Sequence, residues 1–63
     1  MLEILNLVYS TMNDAESAYS HGNESEYERL ESVARNTLQY AVNHGNITRK
    51  QAYDIADVCC VIM

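Results

Sequence analysis

The tripeptide His-Gly-Asn occurs twice, at residues 21–23 and 44–46, and its two glycines are the only ones in a chain of 63 residues without proline. Glycine just past a helix takes the left-handed conformation without the steric cost other residues meet, and a histidine in the last turn suits the negative end of the helix dipole. Each repeat is followed by residues that start helices. Asn23 with Glu26, or Ser25 with Glu28, can form a capping box, and so can Thr48 with Gln51, flanked by Ile47 and Ala52 as a hydrophobic staple. The pattern predicts one all-α domain over residues 1–63, with three helices near residues 2–21, 24–44 and 49–62. Asn13 followed by Glu16 is a place where the first helix could restart.

Apolar residues recur at helical spacing inside each stretch. Met1, Leu5, Val8, Met12, Ala15 and Tyr19 make a stripe on the first helix, and Tyr27, Leu30, Ala34, Leu38 and Ala41 one on the second. Ala52, Ile55, Ala56, Cys59 and Ile62 do the same on the third, while Glu31 and Arg35 are spaced to pair on the flank of the second. These stripes are the expected core. They leave apolar residues over: Leu2, Ile4, Leu7 and Tyr9 lie off the first stripe, and Val58, Cys60, Val61 and Met63 spread apolar surface around the end of the third.

A chain of about 60 residues buries only about 60% of the surface its unfolded form exposes, so it has little core with which to cover such an excess. Each large side chain moved from water into an interface is worth about 1.5 to 3 kcal/mol. The sequence therefore points to a homodimeric helical bundle whose interface is made by Leu2, Ile4, Leu5, Leu7 and Val8, helped by Val58, Val61 and Ile62. Tyrosine is favoured at binding hot spots, and Tyr40 and Tyr53, off the core stripes, are candidates for contacts with another protein.

Several function classes fit poorly. With nine acidic against four basic residues the net charge is -5, and only Arg49 and Lys50 adjoin, whereas nucleic acids are bound by clustered cations. The two cysteines, Cys59 and Cys60, are neighbours and cannot staple distant segments, which suggests a reducing compartment. No metal, cofactor or catalytic residues are expected: His21 and His44 lack metal-motif spacing, and Ser10, Asp14 and His21 come without a nucleophile elbow or oxyanion loop. The apolar start has no basic leader and carries Glu3, so no signal peptide is expected, and no run approaches the roughly 20 apolar residues of a membrane span.

Two motifs keep other functions open. Cys60-Val61-Ile62-Met63 matches the Cys-aliphatic-aliphatic-X prenylation signal, which would make this a membrane-associated protein, although Asp54 and Asp57 stand where a basic run usually assists. The second and third helices, joined by Gly45 to Thr48, could form a helix-turn-helix with Arg49 and Lys50 at the start of a DNA-directed helix.

The chain resembles the very small, acidic, helical proteins of the exo to xis early region of lambdoid phages. The likeness lies in its length, in Met1-Leu2-Glu3-Ile4-Leu5 opening directly into a helix, and in Ile47-Thr48-Arg49-Lys50-Gln51-Ala52-Tyr53-Asp54-Ile55-Ala56. The resemblance implies a protein of the bacterial host cytoplasm that modulates host physiology, or the choice between lysis and lysogeny, by contacting a host or phage protein. It implies no catalytic residues.

Overall fold

A computed structural model describes residues 2–61, with the side chain of Leu2 left out. Among these residues the chain is all-α: α1 (Leu2–Ser20), α2 (Glu24–Asn43) and α3 (Arg49–Cys59). α1 runs unbroken past Asn13 and Glu16.

All three helices stop in the same way. At the end of α1 the Asn23 N–H donates to the Ala18 carbonyl and the Gly22 N–H to the Tyr19 carbonyl, and at the end of α2 Asn46 and Gly45 repeat this onto Ala41 and Val42. These are Schellman closures, which need a left-handed residue, and Gly22 (φ 77°) and Gly45 (φ 75°) supply it. α3 closes likewise, with the Val61 N–H on the Ala56 carbonyl at 2.8 Å, but the left-handed residue is Cys60 at φ 59°. The third helix therefore ends at Cys59 and not near residue 62: the backbone turns although no glycine marks the turn. A side chain in that conformation costs about 1 to 2 kcal/mol. Cys60→Gly is expected to raise stability by about 1 kcal/mol, read as a higher urea midpoint at unchanged slope.

The helix starts are also capped. Asn23 accepts from the Glu26 N–H, but the Glu26 carboxylate turns to Arg29 instead of completing a capping box. At α3 the box is complete: the Thr48 hydroxyl accepts from the Gln51 N–H at 3.1 Å, and the Gln51 side chain accepts from the Thr48 N–H at 2.8 Å. The flanking Ile47 and Ala52 are both buried, as a hydrophobic staple requires. Thr48→Ala should cost about 1 kcal/mol of unfolding free energy, measurable by urea titration.

One core cluster joins Val8, Met12 and Ala15 of α1, Ala34, Leu38 and Ala41 of α2, and Ala52, Ile55, Ala56 and Cys59 of α3, with Ile47 and Val61 added from the segments beside α3. The molecule measures 36 × 16 × 16 Å, the proportions of a helical hairpin with a short helix laid along it. At about 1.5 Å per residue, the 11 residues of α3 reach little more than half the length of the 19-residue α1. Tyr19, expected in the core stripe, is 60% exposed, because α3 stops before covering it. Its ring instead meets Tyr27 edge to face, with centroids 5.4 Å apart.

Candidate functional site

The side on which α3 packs decides which apolar residues stay uncovered. Val42 of α2 lines an open cleft with Arg49, Ala52 and Tyr53, so that flank of α2 faces α3. At about 100° per residue, Val33 and Tyr40 fall on the opposite flank of α2. Seen from one end, two antiparallel helices wind in opposite senses. On α1, α3 therefore covers the flank of Leu5 and Met12, and Leu7, Ile4 and Thr11 share the side of Val33 and Tyr40.

The hairpin thus has one face packed by α3 and one face open. On the open face Leu7 is 53% exposed, Val33 43% and Tyr40 62%, with half-buried Ile4 and Leu30 at its floor. Thr11 and Thr37 also belong to it. Their hydroxyls turn back to donate to the carbonyls of Leu7 (2.9 Å) and Val33 (2.8 Å), so these polar groups are satisfied within their own helices and need no water.

The rims of this face differ in charge. Glu3 and Asp14 flank Leu7 on the outer edge of α1. On α2 the rim carries Arg29, which pairs with Glu26, and His44, whose ring stacks on Tyr40 with centroids 3.9 Å apart. The hydrogen bond from Arg29 lowers the Glu26 pKa below the ordinary carboxylate value. The remaining acids of α2, Glu24, Glu28 and Glu31, lie on the other flank, where Arg35 comes within 4.0 Å of Glu31. There Glu31 raises the Tyr27 phenol above its usual pKa by hydrogen bonding and by its charge.

A smaller apolar patch lies on the other side of α1. Tyr9 is exposed there beside half-buried Leu5, and helical register brings the exposed Val58 of α3 to about the same level.

Of the residues expected at a dimer interface, Leu7 and Val58 are exposed, but on opposite sides of α1. Ile4 and Leu5 are half-buried against the core. Val8 has no exposed surface and Val61 very little, so both belong to the protomer's own core: Val8 sits at the centre of the α1 stripe, and the closure of α3 folds Val61 inward. Ile62 and the side chain of Leu2 lie outside the described residues. Tyr40 and Tyr53 are exposed, Tyr40 on the open hairpin face and Tyr53 beside the α2–α3 cleft. Val33 was missed by sequence reasoning. The available signal was its spacing of seven from Tyr40.

The chemistry-bearing residues are dispersed. His21 donates a ring N–H to the Ser17 carbonyl at 2.7 Å. Burial raises the pKa of the Cys59 thiol, which favours its unreactive protonated form, while Cys60 is exposed. Among the described residues no three of His, Cys, Asp and Glu gather where they could hold a metal. No helix among them is long and apolar enough to cross a membrane. No family model matches this chain, and neither the curated proteins nor the solved structures gave a match.

Proposed function

We propose that this chain is a small, non-enzymatic regulatory protein that works by binding other proteins, itself included. One observation carries the reading: large apolar side chains stand exposed in grouped positions on both flanks of α1, Leu7 with Val33 and Tyr40 on one side and Tyr9 with Val58 on the other. Single exposed apolar residues are ordinary on a protein surface, whereas several large ones sharing one face favour a contact site. The phage-type resemblance gives these contacts a setting in the bacterial cytoplasm and a target among host or phage proteins that govern host physiology or the lysis and lysogeny choice.

The test is affinity capture from a bacterial host with the native chain, Leu7→Glu and Val58→Glu, each checked for helicity by circular dichroism. A protein recovered by the native chain and lost with one of the variants supports the reading. Recovery of the same proteins by all three, or of none reproducibly, overturns it.

A further inference from the structure

The open face of the α1–α2 hairpin has the shape and charge to be covered by a second copy of itself. We propose that two protomers pack these faces together about a twofold axis parallel to the helices, so that each α1 lies antiparallel on the partner's α2. This rests on the reading above and adds the identity of one partner and its orientation.

Three observations lead to it. The first is composition: the face presents Leu7, Val33 and Tyr40, and its two threonines have turned their hydroxyls onto their own helices. Of the nine acids, Glu3, Asp14 and Glu26 border this face, Glu26 paired with Arg29, while Glu24, Glu28 and Glu31 lie on the other flank of α2 and Asp54 and Asp57 on α3. The second is size. The outline of the whole protomer is 36 × 16 Å, so a partner covering that entire side would give about 1,200 Å² in total, the lower end of the range for stable protein interfaces.

The third is charge, which selects the orientation. Across the hairpin, Tyr19 faces Tyr27, which sets Asp14 and Arg29 within about one helical turn of the same level, on opposite rims. A twofold axis parallel to the helices keeps the levels and exchanges the rims. It brings the acidic rim of α1 against a rim whose Arg29 is already paired with Glu26 and which is therefore neutral, with Asp14 near the partner subunit's Arg29 and Glu3 toward the end of α2 that carries the partner subunit's Tyr40 and His44. Leu7 then falls at the level between the partner subunit's Val33 and Tyr40. The alternative twofold, perpendicular to the helices, sets α1 on α1 and gathers Glu3 and Asp14 of both copies along one seam, where like charges repel. Either twofold makes every neighbouring helix antiparallel, as in an up-and-down four-helix bundle with an α3 on each outer side, so it is charge that chooses between them.

Sedimentation equilibrium at low salt tests the arrangement on the full chain, with circular dichroism confirming that each variant is folded. The native chain should be a dimer at tens of micromolar, and Leu7→Glu a helical monomer. Asp14→Arg and Arg29→Asp should each weaken association by about tenfold, and the double variant should recover most of that loss, because it restores the pair with its signs exchanged. A native chain that stays monomeric at this concentration overturns self-association. If that monomer still captures a protein through Leu7, the interaction reading stands without it. A dimer insensitive to both reversals, or one that the double variant does not rescue, overturns the pairing of α1 with the partner's α2.

Discussion

Leu38→Ala is expected to leave the chain largely unfolded at room temperature. Among the described residues, Leu38 and Val8 are the largest side chains with essentially no exposure, and five of the twelve buried apolar residues are alanines. The core therefore holds few large groups, and Leu38 lies in α2, the helix between the other two in sequence. Truncating a buried leucine costs about 2 to 5 kcal/mol, from lost transfer energy and from the cavity left behind. A domain of this length is typically stable by only about 3 to 5 kcal/mol, so one methyl-rich side chain is comparable with the whole margin. Far-UV circular dichroism should show loss of most helical signal or, at low temperature, a urea transition displaced strongly to lower concentration. Val33→Ala, on the open face of the same helix, should change the stability of the protomer by well under half as much. A Leu38→Ala chain that kept its transition within about 1 kcal/mol of the native one would contradict the core described here.

The second large effect runs in the opposite steric direction. Ala34→Leu is expected to destabilise by about 1 to 3 kcal/mol or more, because Ala34 is completely buried and a longer side chain there must displace its neighbours. Ala15, Ala34 and Ala41 have no exposed surface, and such small residues let helices approach toward the short end of the usual 8 to 10 Å axis spacing. A leucine among them would force α1 away from α2 or push its own side chain off a preferred rotamer. For a domain of this size each kcal/mol moves the melting temperature by about 4 to 8 °C, so a fall of about 10 °C or more is expected in a thermal melt. An unchanged melting temperature would mean that the alanines are not a close contact.

The three helices were legible because their periodicity is strong and because Gly22 and Gly45 sit where a helix must turn left-handed. The end of α3 was not. Cys60 takes the left-handed position itself, and no local pattern distinguishes a cysteine that does so from one that continues a helix. The complete box at Thr48 and Gln51 followed from spacing alone, whereas Glu26 was as well placed by spacing but preferred Arg29.

The interaction surface was legible only in part. Periodicity identifies which residues share a face of a helix but not which element will cover that face, so Val8 and Val61 could not be separated from Leu7 as core or surface. That decision depends on the side of the hairpin taken by α3, a three-dimensional choice that also moved Val33 from an unremarked valine to part of the open face.

The difference in length between α3 and the two hairpin helices has a consequence for how the molecule opens. Around Leu38 all three helices share one core, and exposing a backbone amide there means dismantling the whole. Near the turn from Ser20 to Glu24 only two helices run side by side, joined on α3's side by the edge of Tyr19 against Tyr27. That tip can separate while the rest stays assembled, so resistance to local opening should fall along the hairpin, and proteolysis or hydrogen exchange should begin at the tyrosine end.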